Sequence, residues 1–570
     1  MCEVLFITPN MKGNIRSEAM GTLQLASILK EKKINCKIVP FYEIGDISNF
    51  SVFLENTLDI VEKLKPKIIS FYTRCDIYHI ELMMAKIIKE KWPNIYMVCG
   101  GPQSDITAVA TIDRMPFIDY VCCGEGERTI YPFFSSLLEG KPDNNIPGLT
   151  YCDNGQVKQN PRPQLIEDLD ELPILDYTFF SIDIENNDDE FFPIEVGRGC
   201  PFGCTFCSTN AFWGRKYRLK SPSRIIEEIK CAHKTFGATK FKFTHDMFTL
   251  NRNKVIETCE LLKKLDFRVE WKASSRIDCL DEELIDIMAD SGMVAIFLGI
   301  ESGSPRMQKL INKNLNLEFT GEIIDYMVSK GIEPITSFIY GFPEETEEDL
   351  SQTLALIGRI LCNNKVSLST HLCAFFVGTE LSSKYADEMV PVDYYSNETG
   401  EFAVSECMDL IKENPSIFTH MFEYKTELRQ RLKYFEVFLW VWILAQPVYQ
   451  YISEKYNSDN MIDMYFGFVE ANRETLEKNE DDNLNLVKKI VKNDKFIETF
   501  NKDKNYDIIS DFYSLYNMAN SAEAKSGETL MDVFCFDINS INKYHNIKDY
   551  PRGKFITVCK NGKFATFPKQ

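Results

Sequence analysis

The string VGRGCPFGCTFCST sets three thiols, Cys200, Cys204 and Cys207, at the spacing C-x3-C-x2-C. Thiolates are the usual iron–sulfur ligands, and close spacing in one loop lets them converge on a single [4Fe–4S] cube. Three ligands for four irons leave one iron open, and an open site binds and activates a ligand, unlike a four-cysteine electron-transfer cluster. A zinc site would need a fourth Cys or His nearby. The nearest, Cys231 and His233, fall in a stretch of helical pattern. Cys407, Cys535 and Cys559 are far apart, so no auxiliary cluster is expected. The remaining thiols among the 18 cysteines read as inert core residues in a reducing compartment.

The elements around this loop must bring it to a site. In residues 1–140 apolar strands alternate with helices: EVLFIT, a helix over Met20–Lys33, CKIVPF, a helix over Leu58–Leu64, KIISFYT, a helix over Ile80–Lys91, IYMVCGG and Tyr120–Cys123. Such alternation predicts an α/β fold with a parallel, doubly wound, Rossmann-like sheet. Its ligands bind beyond the carboxyl ends of the strands, in the loops Thr73–Ile77, Gly100–Ser104 and Gly124–Glu127. Residues 141–190 read as a connector with a hairpin, GLTYCDNGQVKQN, turning at Asn-Gly. A second series begins near Ile194, with strands PIEVGRG, KFKFTHD, RVEWKASSR, AIFLGIE, ITSFIYG and SLSTHLCAFF and helices such as Ser223–Phe236 and Asp281–Ser291 between them. This predicts a partial (β/α)6 barrel over 191–382, with its chemistry at the strand C-termini. Residues 383–570 read as mostly helical, ending in a small strand pair, DVFCFDI and KFITVCKNGKFATF.

The cysteine string, with the aromatic Phe206 just before its last cysteine, resembles the signature of the radical S-adenosylmethionine (SAM) superfamily, over about residues 190–380. The resemblance implies that the open iron chelates the amino and carboxylate groups of SAM. It also implies that an electron, from a donor such as flavodoxin or ferredoxin, cleaves a C–S bond to give a 5′-deoxyadenosyl radical. FKFTHDMFT resembles the second-strand motif and would put Asp246 near the SAM amino group. KASSRID would put Arg276 near its carboxylate. LGIESGS resembles the fourth-strand motif, with Glu301 and Ser302 against the ribose or methionine part, and FIYGFPEET resembles the fifth-strand turn near the adenine.

Residues 1–140 resemble the cobalamin-binding domain that precedes many radical enzymes of this class, through GTLQLASILKEKKINCKIV, IISFYTRCDIYHIELMMAKIIKE, VCGGPQSD and DYVCCGEGE. That implies cobalamin as a third cofactor. Tyr72, Thr73 and Arg74 would line its lower face, Gly100 and Gly101 would let the backbone approach the corrin, and Gly124 and Glu125 would also contribute. The D-x-H-x-x-G string that supplies an axial histidine is missing; Asp76 and His79 have the wrong spacing, so binding without histidine ligation is expected. The combined resemblance implies a radical SAM enzyme that methylates an unactivated carbon of a peptide, small metabolite or lipid. Rearrangement or cyclisation without methyl transfer, a transfer-RNA methylthiotransferase, and a non-enzymatic iron–sulfur sensor or cobalamin carrier are the alternatives.

Composition narrows these. A formal charge of −20 repels phosphate backbones, so no nucleic-acid partner is expected. The opening MCEVLFITPN has no basic stretch before a long apolar run, so no secretory leader is expected. Val437–Ala445, the most membrane-like run, is short of the ~20 residues a span needs. It reads as a buried helix, and a cytoplasmic location is expected.

Overall fold

The computed structural model describes residues 2–9, 20–179, 191–361, 363, 365–392, 404–444, 461–477, 530–536, 552–560 and 563–568. The chain divides into two compact units. The first comprises Met1–Ile296, Ile311–Lys313 and Ala374–Tyr424; the second comprises Phe297–Leu310, Asn314–Cys373 and Lys425–Gln570.

The first unit opens with a seven-stranded sheet of order β2-β1-β3-β4-β5-β6-β7. Its strands are β1 (Val4–Thr8), β2 (Cys36–Pro40), β3 (Ile68–Tyr72), β4 (Tyr96–Gly100), β5 (Tyr120–Cys122), β6 (Leu149–Asp153) and β7 (Gln156–Gln159). β1 to β5 pair in parallel, with Val4 opposite both Cys36 and Ile68. All five residues of β1 are buried, as expected of a central strand covered by helices on both faces. The strand order reverses at β1, and the crevice beyond the carboxyl ends there is the expected ligand position.

Two sequence expectations are refined here. The helix expected at Leu58–Leu64 begins earlier and runs Phe50–Leu64, because Phe50, Phe53, Thr57 and Val61 repeat on one buried face. The Asn-Gly hairpin forms, with Asn154 at φ 50° and Gly155 at φ 76°, the positive pair a type I′ turn needs. It is continuous with the first sheet, because β6 pairs antiparallel with β5.

The second strand–helix series comprises β8 (Phe192–Glu195), β9 (Gly197–Arg198), β10 (Arg218–Leu219), β11 (Lys240–Thr244), β12 (Glu270–Ser275), β13 (Met293–Glu301), β14 (Glu333–Tyr340) and β15 (Ser367–Leu372). The chain passes from the first unit to the second within β13. In the first unit β8, β11 and β12 pair in parallel; in the second, β14 and β15 do so from Ile335–Ser367 to Tyr340–Leu372. PIEVGRG, expected as one strand, is broken at Val196. Its second piece, β9, leaves the parallel set to pair antiparallel with β10. That break turns the chain into the cysteine loop.

The helix Pro222–Phe236 connects β10 to β11. Ser221 caps its start by accepting from the Arg224 N–H, and Gly237 at φ 69° ends it. Along β12 burial alternates, with Trp271 fully buried and stacked on Phe243 at 4.8 Å. In the second unit the run expected as a buried helix is Phe435–Leu444, with Val437, Phe438 and Leu439 buried; Ala445 lies outside the described residues. Among the described residues no helix is long and apolar enough to cross a membrane. The expected terminal strand pair is a three-stranded antiparallel sheet of Leu530–Phe536, Arg552–Lys560 and Lys563–Pro568. Its Asn561-Gly562 turn lies outside the described residues.

Segment 404–423 packs on the first sheet's core and buries His420, which is 2% exposed. Burial and the neighbouring His79 push its imidazole down to about 3. The unfolded chain takes up a proton below about 6.5 while the folded chain does not, so stability is full above that pH and falls as pH drops toward 3, at about 1.4 kcal/mol per unit. Between pH 6.5 and 5, wild type is therefore expected to lose about 2 kcal/mol more stability than His420→Leu. Urea unfolding at the two pH values measures the difference.

Candidate active site

The cysteine loop is held by hydrogen bonds to its main chain. Cys207 N–H donates to Cys204 O at 3.2 Å, Thr205 N–H to Ile311 O at 3.0 Å, and Leu381 N–H to Thr205 O at 2.9 Å. Asn210 Nδ2 donates to Phe202 O at 2.6 Å and Asn312 Nδ2 to Gly203 O at 2.7 Å. All three cysteines, and Phe206 beside the last, are half-buried. Burial pushes the Cys200 and Cys207 thiols up, and each also feels the other or the Asp246 carboxylate. Among the described residues no three His, Cys, Asp or Glu side chains meet as a single-ion site would require.

Entry to the loop is set by glycine. Gly199 has φ +79°, and a Cβ there would lie 2.0 Å from Lys216 O. Only glycine fits between β9 and Cys200.

Beside the loop lies a cavity of about 500 Å³. One wall is the crevice of the first sheet: Tyr72 at the end of β3, Gly100 and Gly101 at the end of β4, and Cys122, Gly124 and Glu125 at and after β5. The other wall is Thr244, His245 and Asp246 at the end of β11, with Gly199 before Cys200 and Ser208 and Thr209 after Cys207. Asp246 opens into this space, so solvent reaches it while protein surrounds it; that partial burial raises its carboxyl, against a hydrogen bond from Thr209. His245 Nδ1 accepts the Met247 N–H at 2.8 Å, and burial pushes the imidazole down to about 4, so it is neutral with its proton on Nε2.

Other expected residues fall elsewhere. Thr73, fully buried, turns to Ser104, bonding its Oγ at 2.8 Å and accepting its N–H at 2.9 Å. Arg74 pairs with Asp76. Neither lines the cavity, because the turn after β3 spends both side chains on local partners; of the Tyr72–Arg74 trio only Tyr72 does. His79 is fully buried in the helix Tyr78–Lys91, away from the cavity lining. Arg276 stacks over the Phe202 ring at 3.9 Å, pairs with Asp278 at 2.8 Å and donates to Lys313 O at 2.9 Å, while its Nη1 is buried with no hydrogen-bond partner. In the second unit Glu301 is buried at φ 70°, and Ser302, fully buried, shares a hydrogen bond with Thr353 at 3.1 Å.

Sequence reading named Glu125 but passed over Arg198, Arg218, Glu127 and Glu195 around the loop. Arg198, inside the cysteine string, bonds Glu125 at 2.8 Å, Glu127 at 2.7 Å and Glu195 at 2.9 Å. Burial pushes the Glu125 carboxyl up, but hydrogen bonds from Arg218, the Ile166 N–H and Arg198 outweigh it and hold the group below the usual carboxylate range. The signal was available: an arginine within a cysteine loop and an acidic pair, GEGE, at a strand end.

Comparison with known proteins bears on this geometry. The radical SAM superfamily profile matches residues 194–357. An uncharacterized methyltransferase of Pyrococcus horikoshii is 32% identical over 336 residues, covering 59% of this chain and 72% of that protein. The chain belongs to the radical SAM superfamily. It is also 32% identical over 278 residues to the anaerobic magnesium-protoporphyrin IX monomethyl ester cyclase of Rubrivivax gelatinosus, covering 47% of this chain and only 50% of that protein. The solved structure of OxsB, a cobalamin-dependent SAM radical enzyme with aqua-cobalamin and SAM bound, shares the fold at a TM-score of 0.59 and 15% identity, over 91% of this chain and 74% of that one. As a radical SAM enzyme the chain uses a [4Fe–4S] cluster and SAM and requires a reductant and a substrate. The residues present fit both groups: three thiols share one loop, and the Arg276 Nη1 is an orphan donor beside it.

Proposed function

We propose that this radical SAM enzyme is cobalamin-dependent and methylates an unactivated carbon. The observation that carries the reading is one cavity bounded by both the first sheet's strand ends and the residues flanking the cysteine loop, so that a corrinoid on one wall and SAM on the other would share one space. Gly100 fits such a ligand: a Cβ there would meet only Cys122 O, at 3.9 Å, so any side chain would stand in the cavity. The cluster and SAM supply a carbon radical by hydrogen abstraction, and the corrinoid supplies the methyl group.

The chain's own residues do the rest. Cys200, Cys204 and Cys207 hold three irons, Asp246 meets the SAM ammonium, and the Arg276 Nη1 meets its carboxylate. Tyr72, Gly100, Gly101, Gly124 and Glu125 would form the corrinoid side, and His79, buried away from the cavity lining, would not reach it. A flavodoxin or ferredoxin supplies electrons, and the reducing cytoplasm is the compartment we propose. Ring closure without methyl transfer is the second reading, favoured by the likeness to the Rubrivivax cyclase.

The test is retention. Anaerobically purified protein mixed with hydroxocobalamin is expected to keep about one corrinoid per chain through gel filtration, and none retained would overturn the reading. Gly101→Ala, with φ +114° and a Cβ 2.8 Å from Thr73 O, is expected to weaken retention about tenfold through backbone strain while keeping about four irons. Methyl transfer from labelled SAM to the bound corrinoid separates methylation from ring closure.

A further inference from the structure

Five charges stand in the wall between the first sheet and the cysteine loop. Glu125 and Glu127 come from the loop after β5, Glu195 ends β8, Arg198 ends β9 two residues before Cys200, and Arg218 begins β10. The side chains of Arg198, Arg218, Glu125 and Glu127 are 5%, 5%, 2% and 7% exposed. Arg198 serves three carboxylates at once, Arg218 bonds Glu125 at 2.9 Å and Ile166 O at 2.6 Å, and beyond them Lys220, paired with Glu228 at 2.6 Å, stands 3.9 Å from Glu195. Both guanidiniums flank the Trp213 ring, at 5.8 and 5.5 Å, and Trp213 closes the short helix Thr209–Trp213 that follows Cys207.

A buried ionic set of this kind is poor evidence for stability, because desolvation offsets most of the attraction. Its distinctive property is geometric: Arg's planar fork satisfies several carboxylates only in one register. Here the register joins the chain just before Cys200 to the loop on the opposite cavity wall.

We propose that Arg198 is a positioning residue whose guanidinium, shared among Glu125, Glu127 and Glu195, couples the Gly124–Glu127 loop of the first sheet to the cysteine loop, so that assembling the cluster orders the first-sheet wall of the cavity. Arg198 touches no iron ligand directly in this role; it transmits a position. The coupling is reciprocal, so a change in the Gly124–Glu127 loop alters the cluster loop in turn.

Hydrogen exchange on the full-length protein, with and without its reconstituted cluster, tests this. In wild type the cluster is expected to slow exchange across Gly124–Glu127 about tenfold. In Arg198→Lys and Glu127→Gln that slowing is expected to fall below about twofold, while slowing at Cys204–Thr209 persists. A residue that merely supported the fold would change exchange equally with and without the cluster. If Arg198→Lys does not fold, Glu127→Gln decides. If Glu127→Gln folds but cannot assemble about four irons, reciprocal coupling is supported. No cluster-linked slowing at Gly124–Glu127 in wild type, or wild-type slowing in the variants, overturns the proposal. No corrinoid is used, so cobalamin retention is judged by its own assay.

Discussion

Cys204→Ala is expected to lower iron from about four to below about one per chain after reconstitution, and to abolish 5′-deoxyadenosine formation from SAM. The thiol is the only part of Cys204 that the change removes. Its main chain is held independently, by the Cys207 N–H on Cys204 O and the neighbouring Thr205 N–H on Ile311 O. The half-buried side chain fills no core position, so the protein should fold and purify as wild type does. With two thiolates left, a second iron loses its protein ligand and the cube is not retained. Loss of the broad visible absorbance of the cluster follows, and heat unfolding of the cluster-free form should shift little. SAM cleavage retained at wild-type rate would remove Cys204 from the ligand set.

Gly199→Ala is the second large effect, and it acts through the backbone. At φ +79° an alanine is strained by about 1–2 kcal/mol before any contact is considered. The new Cβ would also lie 2.0 Å from Lys216 O and 3.1 Å from Trp213 Cβ. A Cβ 2.0 Å from a main-chain carbonyl cannot be held without backbone movement, and movement at Gly199 carries Cys200 with it. Iron content is expected to fall at least about fourfold, with SAM cleavage falling in proportion. Gly214→Ala is the control: its φ is +60°, but a Cβ there meets nothing within 4 Å, so it carries the strain without the collision. Gly199→Ala with wild-type iron, or Gly214→Ala with an equal loss, would contradict the account.

The cysteine loop stands out in the sequence because its pattern is local: three thiols within eight residues stay near one another wherever the loop sits. The parallel sheets were legible for a similar reason, since strands such as VLFIT and IISFY, covered on both faces, must be continuously apolar. What depends on distant partners was not legible. Thr73 reads as a lining residue, yet Ser104, 31 residues on, claims it, and nothing in the local string announces that. The hairpin was read correctly from Asn-Gly, but its docking on β5 depends on an edge that period-2 patterning does not reveal. Arg198 was hidden by the motif that contains it, because its partner Glu125 lies 73 residues earlier in the chain.

The central claim is that Cys200, Cys204 and Cys207 leave one iron of the cube for SAM. Mössbauer spectra of protein reconstituted with isotopically enriched iron, recorded with and without SAM, test it most directly. The account predicts that about one iron in four changes environment when SAM binds while the others do not. A cube whose irons all ignore SAM, or zinc recovered in place of iron, would contradict it.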